Sequence, residues 1–196
     1  MRTIRITIEG KTPLLLHRFT DAAAKDATQG TRSSTNGERM TPREEADTYL
    51  YKDEKGELII PNPNLFRCLI DAGKYFKMGK SKVTTIKSSI IPACLAIEEL
   101  IIPLEHREPW DVDTRPVRIP STGGRILRHR PCFNDWKLAF TLTVDPDIIS
   151  LKLVREIVDA AGQRIGLGDF RPDTKGPYGK FVVTHWNLEE EEEEEA

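Results

Sequence analysis

The chain has no long apolar run. No stretch approaches the ~18–20 apolar residues of a membrane span, so no membrane partner is expected. Its first residues alternate polar and apolar, without a charged segment leading into an apolar one, and no secretory signal is read there. Cysteine is scarce: Cys68, Cys94 and Cys132 are odd in number and far apart, which excludes a disulfide framework and a tight CxxC zinc site. A reducing, cytoplasmic compartment is the simplest expectation. A nucleophile elbow, an HExxH pair and a spaced carboxylate cluster are also missing, so neither a metal nor a cofactor is expected. Acids are absent from two long stretches, Ala72 to Ile97 and Arg115 to Pro131.

What is present is a chain of 196 residues, 38% hydrophobic and 31% charged. That is enough for one domain with a sizeable core, read as residues 1–188. The net charge of −2 hides a division, because Glu189 to Glu195 are all glutamate. Removing those seven from the 31 acids leaves 24 against 29 Lys+Arg, a body with about five excess positive charges. A basic body with an acidic tail suits a nucleic-acid binder whose tail competes with phosphates. The alternative is a tail that only solubilises; on either reading residues 189–196 are expected to be disordered.

Ile4, Ile6 and Ile8 alternate with Arg5 and Thr7, the pattern of a half-buried strand. Thr20 to Met40 has no hydrophobic period, and residues 20–41 are read as a mobile loop. Thr41, Pro42 and Glu44 make a helix start with a capping box. A short strand at Leu58–Ile60 precedes a second helix between Pro61 and Lys77, capped by Asn62 or Asn64. Cys94 to Leu104 reads as one strand, and Trp136 to Val144 as another. Ser150 caps a third helix that ends with Gly162 at the C′ position. Lys180 to Trp186 is the last strand. The order βαββαβ predicts an α+β, ferredoxin-like (RRM-like) core, with a long insertion after the first strand.

Three segments are candidates for chemistry. The first runs from Gly166-Leu167-Gly168-Asp169-Phe170-Arg171-Pro172 through Lys175-Gly176-Pro177-Tyr178-Gly179-Lys180-Phe181. Gly166, Gly168, Gly176 and Gly179 allow close backbone approach and turn amides toward a phosphate, and Arg171, Lys175 and Lys180 add charge. The alternative is a turn shaped only for the fold. The second is Arg115 to Pro131, with Arg115, Arg118, Arg125, Arg128 and Arg130 around a Ser121-Thr122-Gly123-Gly124 turn. This reads as an arginine-rich β-hairpin, residues 115–131, whose guanidinium groups face solvent or phosphates because no local acid can pair them. The third is the lysine-rich loop holding Lys80 and Lys82. Gly79-Lys80-Ser81 is not a P-loop, because five residues separate Gly73 from Gly79 where four are required and a helix precedes it. A loop that tracks a nucleic-acid backbone is the functional reading; a solvated loop is the other.

His17, beside Arg18, is the one histidine placed to act in general acid–base cleavage of RNA; a structural role is the plainer reading. Phe133, Trp110 and Tyr178 are candidates for stacking on bases.

The element order, with the glycine-rich segment between the last helix and the last strand, resembles the RAMP superfamily of CRISPR-associated proteins. The outline is similar to the backbone subunit of multi-subunit CRISPR effectors, which polymerises along guide RNA and projects a hairpin between bases. That resemblance implies sequence-independent binding of single-stranded nucleic acid, RNA before DNA, by copies of the chain assembled side by side. A phage-encoded relative fits the same residues. Processing endonucleases of the superfamily carry a histidine early in the chain, which His17 matches in rough position. Two alternatives stand beside the binding reading. One is a metal-independent endoribonuclease using His17. The other is a structural assembly protein, such as a phage component, whose basic hairpin meets a neighbour's acidic tail.

Overall fold

The computed structural model describes residues 1–19, 40–118 and 123–189. The expected mobile loop (apart from Met40 and Thr41), the hairpin tip at Ser121 and Thr122, and the acidic tail after Glu189 lie outside the described residues.

The alternation at the start of the chain becomes β1 (Arg2–Gly10). Ile4, Ile6 and Ile8 are buried, and Arg5 and Thr7 lie on the opposite face. β2 (Leu14–Leu15), α1 (Pro42–Thr48), β3 (Ile59–Pro61) and α2 (Asn62–Ala72) follow. Next come β4 (Lys77–Met78), β5 (Ser81–Lys82), α3 (Ile91–Cys94), β6 (Leu95–Ile97) and β7 (Ile101–Pro103). The hairpin strands are β8 (Asp111–Arg118) and β9 (Arg125–Phe133). β10 (Lys137–Val144), α4 (Leu151–Ala160) and β11 (Phe181–Leu188) complete the fold.

Four strands form one antiparallel sheet in the order β11-β1-β10-β6. Ile6 stands opposite Phe140 on one side and Trp186 on the other, so these side chains share a face. The apolar stripes of α2 (Leu65, Leu69) and α4 (Val154, Ile157, Val158) join that face in a common core. This is an α+β architecture. The opposite sheet face carries Thr3, Arg5, Thr7, Ala139, Thr141, Thr143, His185 and Asn187 by register. It presents no Phe, Tyr or Trp, so it cannot stack bases in the manner of an RRM sheet. The arginine-rich hairpin belongs to a second sheet, ordered β2-β9-β8.

Several element boundaries differ from the sequence reading. Cys94 to Leu104 is two strands, not one. β6 pairs with β10, and β7 pairs with β3. Glu99 ends the ladder between them by accepting the Thr141 N–H at 2.8 Å. Neither Asn62 nor Asn64 caps α2, where Pro61 holds the cap position with no side-chain bond; Asn62 Nδ2 instead donates to the carbonyls of Ile97 and Glu99 at 2.9 and 2.8 Å, tying that turn to the helix start. Gly162 is not the helix terminator either. The helix runs on through a wide turn at Ala161–Ile165 and stops at Gly166, whose φ of +75° is open to glycine. Gly162 instead lets the carbonyl of Phe181 pass close by. The capping box at Thr41 and Glu44 and the Ser150 cap form as read.

Candidate nucleic-acid interface

Leu14, Leu15 and Leu16 are fully buried, and this apolar run builds the interface's base. β2 pairs with β9 on one side, Leu14 opposite Phe133 and Leu15 opposite Cys132. On the other side it meets the glycine-rich segment: Asp169 N donates to Leu15 O and Gly179 N to Pro13 O, both at 2.8 Å. His17, next in the chain, therefore lies beside Asp169. The carboxylate's Oδ2 is 3.4 Å from His17 Nδ1 and 2.6 Å from Arg130 Nε. Neither approach is aligned as a hydrogen bond, so Arg130 holds the carboxylate by charge. Burial alone would raise the Asp169 pKa. The His17 ring, the Arg130 charge and the Phe170 N–H overcome that and hold it at about 2.

His17, Asp169 and Arg171 line a cleft of about 380 Å³ with Asn64, Arg67 and Gly168. Arg67 also borders a larger groove of about 1100 Å³ that holds Lys74, Lys82 and Lys87. Lys80 and Lys82 are exposed around the small β4–β5 ladder, a turn of paired strands where a loop was expected. Arg171 donates to Gly168 O at 3.0 Å. Lys175 is exposed, and Lys180 uses its carbonyl to accept from Lys11 and Thr12. Arg18 Nε is buried without a hydrogen-bond partner among the described residues.

The five hairpin arginines do not act alike. Register pairs Arg115 with Arg128, Asp113 with Arg130, and Arg118 with Arg125. Alternation then puts Arg115, Arg128 and Arg130 on one face and Arg118 and Arg125 on the other. The first three are held by the protein. Arg115 Nε donates to Asp113 at 2.7 Å, and its Nη2 to the Tyr178 hydroxyl. Arg128 donates to the Tyr49 hydroxyl at 3.0 Å. Arg130 is 8% exposed, paired with Asp169. The expectation that all five lack a pairing acid and face solvent or phosphates therefore fails twice: Asp113, just outside the segment, pairs Arg115, and Arg130 is paired by an acid 39 positions away in sequence. The hairpin is also longer than read, with its base reaching Asp111 and Phe133. Arg118 and Arg125 are exposed and carry no ion pair among the described residues.

Gly166, Gly168, Gly176 and Gly179 are each closed over by the chain's own atoms. Their close approaches are to Leu15, Leu167, Phe170 and the Pro172–Tyr178 neighbourhood. Two stacking candidates fall away as well. Phe133 is buried in the core, and Trp110 packs against that core with the Arg43 guanidinium closed down to 3.1 Å from its ring centre. Sequence reasoning missed Asp169 and Arg67. Asp169 stood inside the glycine-rich motif, but nothing local tied it to His17 or Arg130.

Comparison with protein-family models and with curated proteins finds no match. Among solved structures, a chain in the cryo-EM structure of the Type III-B Cmr-beta bound to cognate target RNA is similar, with a TM-score of 0.58 at 10% sequence identity. The likeness covers 95% of this chain and 60% of that one, so this chain spans about 60% of its neighbour's length. At that identity the likeness is one of fold.

Proposed function

We propose that this chain is a cytoplasmic, sequence-independent single-stranded RNA-binding subunit that assembles side by side along the strand. Residues 1–188 form one RAMP-type domain with a ferredoxin-like core. The carrying observation is the pair Arg118 and Arg125, exposed together on the distal half of a hairpin whose other arginines are held by protein partners. The sheet order β11-β1-β10-β6 supports the ferredoxin-like reading, and the likeness to a chain from an RNA-bound assembly supports the RNA-binding one. The setting is a CRISPR effector backbone or a phage-encoded relative. Arg118 and Arg125 bind phosphates, with the exposed Lys80, Lys82 and Lys175 as further contacts. Arg115, Arg128 and Arg130 position the hairpin.

The test is anisotropy of two labelled RNAs of unrelated sequence. Arg118→Ala/Arg125→Ala is expected to weaken both alike, by roughly 10–100-fold, and to lower the salt slope by about two units. Unchanged affinity in that variant, or no binding by the parent at low salt, overturns the proposal. Assembly without any nucleic acid would favour a structural protein. Tighter binding to single-stranded DNA would move the ligand to DNA.

A second reading rests on His17, which faces the cleft beside Asp169. The Asp169 carboxylate lies on the Nδ1 side of the ring at 3.4 Å, so Nε2 is the nitrogen this reading assigns to acid–base work. On this reading RNA is cleaved in the presence of EDTA and His17→Ala abolishes cleavage. Cleavage that survives His17→Ala removes it.

A further inference from the structure

Phe170 and Tyr178 are two half-buried rings outside the hydrophobic core. Their centroids are 6.0 Å apart and their planes tilted by 32°. Core packing does not hold them, so the backbone must. Phe170 sits at φ +48°, a left-handed conformation that bulky side chains rarely adopt. Three contacts keep it there. Its N–H donates to Asp169 Oδ1 at 2.8 Å, and its carbonyl accepts from Tyr178 N at 3.2 Å. That same carbonyl passes so near Gly176 that a Cβ there has no room. Backbone strain of this kind persists only where the surroundings over-determine it, and it gathers at functional sites. A third planar group joins the rings. The Arg115 guanidinium lies 4.8 Å from the Tyr178 ring centre and 6.0 Å from that of Phe170. Asp169 and Arg171, on either side of Phe170, line the His17 cleft. The ledge thus sits where the hairpin base meets that cleft.

We infer that Phe170 and Tyr178 form a stacking subsite for a base of the bound single strand, with Arg115 holding Tyr178 in place. This rests on the binding function proposed above. The tip arginines take phosphates and the ledge takes a base, and the open sheet face, which lacks rings, takes none. Stacking accepts any base because every base has a π-face, so the subsite adds affinity without sequence preference.

The test compares an RNA oligonucleotide with a fully abasic phosphodiester strand of equal length and charge. The parent is expected to bind the abasic strand about tenfold or more weakly, with the same salt slope. Phe170→Leu/Tyr178→Leu, which keeps apolar bulk, is expected to lose that discrimination and retain the salt slope. Equal binding of both strands by the parent overturns the subsite and leaves the phosphate-binding function standing. Wild-type discrimination in a folded Leu variant also overturns it. A parent that binds neither strand overturns the function itself. Should the double variant not fold, Phe170→Leu alone, which leaves the Arg115–Tyr178 bond in place, is expected to lose most of the discrimination, and full discrimination in it overturns the subsite.

Discussion

Gly179→Ala is expected to melt about 10 °C below the parent chain. Gly179 sits at φ +68°, and a Cβ there meets the backbone carbonyl of Leu167. A backbone atom cannot swing aside as a flexible side chain would. Gly179 also bridges two segments: its N–H donates to Pro13 O at 2.8 Å, and its carbonyl accepts from Leu167 N at 2.9 Å. Moving it to relieve the clash breaks those bonds. The left-handed conformation costs about 1–2 kcal/mol for a residue with a Cβ, and the overpacking about 1–3 kcal/mol. A total of roughly 3 kcal/mol lowers the melting temperature by ~2–4 °C per kcal/mol in a chain of this size. Gly56→Ala is the control, because Gly56 has φ +85° but nothing within 4 Å. It is expected to lose only the conformational part, about 3 °C. Equal melting temperatures for the two variants would show that the Leu167 contact is harmless.

Asp169→Asn is expected to destabilise the chain by about 2–3 kcal/mol at neutral pH. Removing one partner of a buried ion pair costs ~3–5 kcal/mol, since the other charge is left stranded. Arg130, with its side chain 9% exposed, is that stranded charge; Asp169, 31% exposed, keeps some water, which brings the effect to or below the bottom of that range. The pH dependence follows from the carboxyl's pKa of about 2 against an ordinary 3.8. The unfolded chain takes up the proton first, so the contribution is complete above about pH 4 and disappears as pH falls from there toward 2. It amounts to about 2 kcal/mol. Urea melts at pH 5 and pH 2.5 should therefore show the parent losing most of its advantage over the variant. Parallel losses would mean that Asp169 is not the acid-sensitive group.

Local pattern carried much of the fold. Ile4, Ile6 and Ile8 announced β1, the even positions from Trp136 to Val144 announced β10, and Thr41 and Ser150 named their caps. Each signal lies within one turn or a few pleats, and the structure realises it locally. Signals that depend on partners distant in sequence stayed hidden. The apolar positions from Leu95 to Ile102 fit one strand, until Glu99 takes an amide of β10 and divides it. Gly162 and Gly166 look alike in sequence, and only the path of Phe181 shows which gives close packing and which ends the helix. The arginine count was legible, but its division was not. Which guanidinium finds an acid depends on Asp169 arriving from the glycine-rich segment.

The hairpin's anchorage has an entropic side. Arg115, Arg128 and Arg130 fasten its base through Tyr178, Tyr49 and Asp169. A dangling two-stranded ribbon would have to surrender its freedom whenever a polyanion arrived, and that ordering cost subtracts from affinity. Here the folded body has already ordered the base. On the proposed assembly, successive copies along a strand would hold the distal arginines at a constant spacing. The ion pair of Arg130 with Asp169 thus sets the direction of an arm whose end it never touches.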